Sequence, residues 1–393
     1  MNARTISQSE ISPSENLRLQ AGFILTGVAT VLIGPILPVL VARWSLNDAQ
    51  AGLFFAVQFT GNTASTIFSG WVITHLGFGR SFSIGLAVMA LGLGALGVAP
   101  WPLALLCVLA YGIGLGITVP TANLWVGERN PSRRAAALSW LNLSWGIGAV
   151  ATPVLAYGIL RNHTLPTLLV PVTAILIVLA FTFTRSRHAA QADVGVITLL
   201  EANRWLHRKL SVLLGLMFFL YVGTENAIGG WTATYARRMD LTSGTTWMLI
   251  PSLFWIALLA GRGLAPMVLR RISERALLYL ALSTALAGIS GILFARSMEA
   301  LMAALLLSGL GCAAVFPLVM AMASHHLSRL SRRQAGPLLA CGGFGGLTLP
   351  WLVGLISNHA TLRIGLAVPW MAVAGMLILT GVVTRSHATA KNG

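Results

Sequence analysis

The sequence predicts an all-α integral membrane protein of twelve transmembrane helices in two pseudo-symmetric six-helix bundles. Three observations carry that prediction: a composition that needs lipid as its solvent, twelve apolar runs of membrane-crossing length, and an internal repeat relating the two halves. Of 393 residues, 56% are hydrophobic and 9% charged, and the mean hydropathy is +0.80. A soluble domain carries roughly 25% charged residues to cover its core, so this chain cannot face water over most of its surface. The same balance excludes secreted disulfide-stapled, disordered and collagen-like classes.

Crossing about 30 Å of hydrocarbon takes about 20 apolar residues. A polar tail over 1–17, with Glu10 and Glu15, precedes the first run, 18–42. That run is too long for the apolar core of a signal peptide, so no cleavage is expected. The runs 49–75, 80–99, 102–126, 135–160 and 165–184 complete a first bundle over 18–184. The connection 185–209 carries Arg185, Arg187, Arg204, Arg208 and Lys209 and reads as a solvated linker, with anionic lipid headgroups as the alternative contact. The runs 210–236, 246–269, 275–295, 299–323, 335–358 and 364–384 form a second bundle over 210–384, and 385–393 is a tail. Glycine or proline interrupts most runs, which membrane helices tolerate when neighbours satisfy the freed backbone groups.

The formal charge of +16 comes from 26 Lys and Arg against 10 Asp and Glu. Nineteen of the basic residues fall in one set of connections and six in the other, with Arg262 inside a span. Positive residues collect on the cytoplasmic side, so both termini are expected there, in the inner (plasma) membrane. Because the charge is spread over seven separate segments, a nucleic-acid partner is not expected. Cys107, Cys312 and Cys341 lie in apolar runs without metal-ligand spacing and read as small packing residues. His325 and His326 sit at a span end beside arginines and read as interfacial. No metal or cofactor is expected.

The halves superpose at a constant offset of 197 residues: Gly112 meets Gly309, Gly114 meets Gly311, Pro120 meets Pro317, Gly146 meets Gly343, Gly148 meets Gly345 and Pro153 meets Pro350. Glycine and proline mark close helix approach and kinks, so spans 4–5 and 10–11 should share a backbone shape.

Twelve spans in two similar halves joined by a basic linker resemble the major facilitator superfamily. The segment Gly70-Trp-Val-Ile-Thr-His-Leu-Gly-Phe-Gly-Arg80 resembles that family's signature between spans 2 and 3, keeping Gly70, Gly77 and Arg80. It departs at Thr74, where the family usually has aspartate. Four stretches are similar to the fucose permease branch, the fucose–galactose–proton symporters: Tyr111-Gly-Ile-Gly-Leu-Gly116 leading to Asn123, Asn130 to Leu138 leading to Asn142 and Trp145, Tyr221-Val-Gly-Thr-Glu225 leading to Trp231, and Phe254-Trp255 leading to Arg262. The resemblance implies two bundles rocking about a midplane site that opens alternately to each side. It also implies acidic coupling residues on spans 1 and 4, where this chain has neither Asp nor Glu.

Nine of the ten carboxylates fall in termini, loops or span ends, and only Glu225 lies inside a span. A charged carboxylate there costs several kcal/mol unless it is protonated or paired, which makes it the candidate for proton coupling; fixing helix packing is the alternative. Counting 1.5 Å of rise per residue from the cytoplasmic ends puts Glu225 and Trp255 about 22 Å up, and Gln58 and Asn62 about 25 and 20 Å up. Tyr221 lies one turn below Glu225, and Asn142 and Trp145 on span 5 lie nearer the cytoplasm. Amides, a carboxylate and indole rings at one level suit a sugar, whose hydroxyls take paired hydrogen bonds and whose C–H face stacks on aromatics. Gln58, Asn62, Asn142, Trp145, Tyr221, Glu225 and Trp255 are therefore the candidate substrate residues, each with packing as its alternative. Arg262 lies about 10 Å closer to the cytoplasm than Trp255, too far by rise alone for direct contact with Glu225. Counter-ion, ligand and snorkelling cation are its three readings. Trp231, Asn123, Gly70, Gly77 and Arg80 are the remaining gating candidates.

The expected function is secondary active transport of a small neutral solute, foremost a monosaccharide, coupled to protons through Glu225 in a monomer. A drug or metabolite exporter, an uncoupled facilitator and a membrane sensor with a transporter fold are the alternatives. With one carboxylate and no Ser/His/Asp set at a shared depth, an enzyme is not expected.

Overall fold

The computed structural model describes residues 13–184, 209–239, 244–327 and 335–389. The extreme tails and nearly all of the 185–209 linker, with Arg185, Arg187, Arg204 and Arg208, lie outside the described residues, as do the side chains of His325 and His326.

Helices α1 (Pro13–Val31) and α2 (Ile33–Trp44) make span 1, bent by 46°. Pro35 causes the bend: proline has no N–H for the carbonyl four residues back, here that of Val31. Helix α3 (Asp48–Leu96) is 49 residues long and holds spans 2 and 3 end to end, with the chain reversing at Gly77 (φ 77°, ψ 167°). Those angles belong to glycine alone, which is why the family signature needs a glycine at that position. Spans 4, 5 and 6 are α4 (Leu103–Arg129), α5 (Arg134–Leu160) and α6 (Leu165–Phe183). The second half follows with α7 (Lys209–Arg238), α8 (Ile250–Val268) and α9 (Glu274–Phe294). Span 10 is α10 (Met298–Ala313) and α11 (Val315–Leu327), interrupted where Pro317 leaves the Ala313 carbonyl without its helical partner. Span 11 is α12 (Ala335–His359), and span 12 is α13 (Leu362–Gly365) with α14 (Ala367–Thr389).

Among the described residues, ten helices are long and apolar enough to cross a bilayer, and the bent pair α1–α2 adds an eleventh. Dividing α3 at Gly77 makes twelve, in the expected order. Large apolar side chains such as Leu91, Phe181, Phe294 and Ile378 stand fully outward, as a lipid-facing surface requires.

The glycine repeat has a direct structural meaning. A side chain on Gly112 would strike the Gln58 carbonyl on span 2, and one on Gly309 would strike the Phe254 carbonyl on span 8. Gly114 faces Gly85 and Met89 on span 3 as Gly311 faces Ala281 and Ala285 on span 9. Gly148 lies against span 1 at Ile24, and Gly345 against span 7 at Phe219. Gly146 and Gly343 instead face the other bundle, at Leu259 and Thr63. Each half thus builds the same close packing around the same positions.

One sequence expectation needs correction. Span 1 begins a turn earlier than expected, and Glu15 in its first turn is 7% exposed. Asp48 at the start of span 2 is 8% exposed. Asp48 is covered by Arg238 at the end of span 7 and Ser357 on span 11.

Candidate substrate and coupling site

Spans 7 and 8 run in opposite directions, and helical side chains lean toward the N-terminus of their own helix. Glu225 and Tyr221 on α7 therefore lean toward the face where the chain begins, while Arg262 on α8 leans away from it. The three converge. Arg262 Nη2 lies 3.6 Å from Glu225 Oε1 and donates to the Tyr221 hydroxyl at 3.4 Å. The separation expected from helix rise alone is thus corrected by side-chain direction and by the reach of arginine. Arg262 Nε is buried without a partner. Tyr221 is closed off at 1% exposure, and Cys312 on span 10 is buried beside the group.

A second cluster joins the bundles. The Trp145 and Trp255 rings meet edge to face at 5.8 Å, spans 5 and 8 contributing one each. Trp145 Nε1 donates to Thr30 Oγ1 at 3.4 Å, and Gln58 Nε2 donates to the Thr30 carbonyl at 2.9 Å. Gln58 Oε1 and Trp255 Nε1 are buried without partners. Trp255 also lies against Gly229, one turn beyond Glu225 on the same helix, so the two clusters adjoin. Thr30 on span 1 was not singled out in the sequence; a hydroxyl on an otherwise apolar bundle-facing run was the available signal.

The other candidates are more dispersed. Asn62 accepts from Thr66 on its own helix, and Asn123 donates to the Val119 carbonyl. Asn142 donates to the Leu138 carbonyl and is exposed one turn from Gly146, on the helix edge that faces the other bundle. Trp231 is fully buried and donates to the Pro350 carbonyl on span 11, a packing contact within its bundle. Thr74, where the family has aspartate, donates to the Gly70 carbonyl, and Arg80 is exposed.

Contacts between the bundles run from mid-height to the face opposite the termini. Spans 2 and 11 touch from Thr63–Gly343 through Phe59–Gly346 and Gly52–Trp351, and spans 1 and 7 at Gly34–Gly229. At the far end Arg238 grips Asp48 through both Nη atoms, and Ser357 donates to the same carboxylate. Asn142 is exposed below the last of these contacts, and Arg262 is one quarter exposed, on the side of the helix ends that carry the termini.

The profile of the Major Facilitator Superfamily matches residues 20–350. "Bypass of stop codon protein 6" of Saccharomyces cerevisiae is 24% identical over 90% of this chain and 78% of that protein. The glucose/mannose transporter GlcP of Bacillus subtilis is 21% identical over 94% of each chain. Among solved structures, a bacterial homologue of the human lysosomal transporter Spinster, inward-facing and unoccupied, superposes with a TM-score of 0.76 at 14% identity, covering 94% of this chain and 96% of that one.

Proposed function

Because the chain belongs to the major facilitator superfamily, we propose that it is a secondary transporter carrying a small neutral solute, foremost a monosaccharide, in symport with protons. The observation that carries this reading is the convergence of Glu225, Arg262 and Tyr221 between spans 7 and 8, next to the Trp145–Trp255 pair that joins the bundles. A buried carboxylate beside a guanidinium is stable as an ion pair; when the carboxylate takes a proton, the cation loses its partner and needs other oxygen ligands. Hydroxyl oxygens of a sugar supply them without adding charge, so proton and sugar favour each other at one site. The adjoining Trp145–Trp255 pair offers aromatic faces to sugar C–H groups, and Gln58 and Asn142 offer amides. Likeness to a glucose/mannose transporter over 94% of the chain supports the substrate class.

In this reading the two bundles are the moving bodies of residues 18–184 and 210–384, the site opens in turn to the cytoplasm, where both termini lie, and to the opposite side, and the protein works as a monomer in the inner membrane. The deciding measurement is sugar uptake into proteoliposomes with and without an imposed pH gradient. Glu225→Gln should keep sugar exchange and lose pH-driven accumulation; accumulation equal to that of the unaltered protein removes Glu225 from coupling.

A further inference from the structure

We propose that the face opposite the termini carries an oxyanion site between the ends of spans 1 and 7, built for a phosphate group with an apolar substituent. A cavity of about 340 Å³ lies there, lined by Pro38, Val41 and Ala42 from α2 and by Thr234, Arg237 and Arg238 from α7. It is separate from the Glu225 cluster, which lies more than two turns below Thr234 on the same helix.

Three observations assign its chemistry. First, helical threonines in this chain habitually donate to the carbonyl four residues back, as Thr118, Thr121, Thr152 and Thr232 do. Thr234, a residue of the cavity wall that is 4% exposed, does not: its hydroxyl is buried without a partner, as are those of Thr63, Thr173 and Thr224. A buried hydroxyl left this way is a place for a guest acceptor. Second, Arg237 is held in position by donating to the Pro38 carbonyl at 2.7 Å and by stacking over Trp247 at 5.4 Å. Neither contact neutralises its charge, and no carboxylate among the described residues pairs with it. Third, Arg238 completes the wall while its Nη atoms hold Asp48.

A phosphate group, even as a diester with two unesterified oxygens, has acceptors for the Arg237 guanidinium and the Thr234 hydroxyl, and Arg238 adds positive charge beside them. The apolar side formed by Pro38, Val41 and Ala42 suits a carbon substituent on the phosphate. Such a group has two sources, the headgroup of an anionic phospholipid or a free phosphate. Bound there, it also competes with Asp48 for Arg238.

The test uses the purified full chain and the variants Arg237→Gln and Thr234→Val. In one arm the melting temperature is titrated with inorganic phosphate against chloride at equal ionic strength. In the other, native mass spectrometry counts phosphatidylglycerol and phosphatidylcholine retained from mixed micelles. The unaltered protein should prefer phosphatidylglycerol or be stabilised by phosphate, and each variant should bind about tenfold more weakly, as loss of one charge-assisted hydrogen bond implies. Preference for phosphatidylglycerol alone identifies the lipid as source; a phosphate response identifies the free anion. Thr234→Val preserves side-chain shape, so its melting temperature without ligand separates lost binding from lost folding. Equal retention of both lipids with no phosphate response overturns the site, as does an unchanged response in both variants.

Discussion

Arg238 at the end of span 7 grips Asp48 at the start of span 2 with a bidentate ion pair, at 2.8 and 2.5 Å, across the boundary between the bundles. Ser357 on span 11 donates to the same carboxylate, so the N-terminal bundle is tied to two spans of the other. Since Arg238 is 43% exposed, solvent screens the pair and its worth is about 1 kcal/mol.

Releasing that tie should populate the conformation open at this face. Arg238→Gln is expected to shift the equilibrium about fivefold, the equivalent of about 1 kcal/mol. Spin labels on exposed Asn162 and Asn358, one in each bundle, would report it as a longer distance component. A distance distribution identical to that of the unaltered protein would show that helix packing alone holds the face closed.

Repeat-related glycines should respond alike. A Cβ on Gly148 would lie 2.0 Å from the Ile24 carbonyl, and one on Gly345 would lie 1.9 Å from that of Phe219. Backbone cannot rotate away as a side chain can, so each alanine variant should cost about 1–3 kcal/mol through overpacking. Gly158, with open space around it, is the control. Melting temperatures should fall for Gly148→Ala and Gly345→Ala and stay level for Gly158→Ala.

Gly77→Ala forces an L side chain into glycine-only dihedral angles between spans 2 and 3. The strain is about 1–3 kcal/mol, expected as a lower melting temperature with unchanged affinity for solute. A loss of affinity at full stability would instead make this turn part of the transport cycle.

These outcomes separate what was legible in the sequence from what was not. The 197-residue offset was readable because glycine and proline declare backbone requirements that do not depend on distant partners, and Gly112 and Gly309 indeed perform the same packing. Glu225 stood out because a carboxylate in an apolar run needs a partner wherever the helix lies. Its partner was hidden: rise along the axis places Arg262 a turn or more away, and only the opposed lean of side chains on antiparallel helices closes the gap. The partners of Asp48 are likewise hidden, because linear sequence does not reveal that the ends of spans 2, 7 and 11 converge. Thr30 escaped for a related reason, since its role depends on two side chains arriving from spans 2 and 5.

The Trp145–Trp255 pair predicts a division between affinity and turnover. Trp145→Phe keeps an aromatic face and loses the donation to Thr30 that orients it. KM for sugar uptake should rise several-fold, the effect of about 1 kcal/mol for a neutral hydrogen bond, with the maximal rate little changed. Equal losses in KM and maximal rate at unchanged melting temperature would assign the ring to bundle movement instead.

The ion pair at the coupling site makes the strictest prediction. Arg262→Gln strands Glu225 as a buried carboxylate, at a cost of about 3 kcal/mol for a pair broken on one side. The double variant Glu225→Gln/Arg262→Gln replaces both charges with amides and should recover most of that stability, because no lone charge remains. Uptake driven by a pH gradient should be absent from both variants, and sugar exchange, which draws on the Arg262 guanidinium, should stay weak in both. If the single and double variants melt at the same temperature, the two charges are solvated independently and the pair has no part in holding span 7 to span 8.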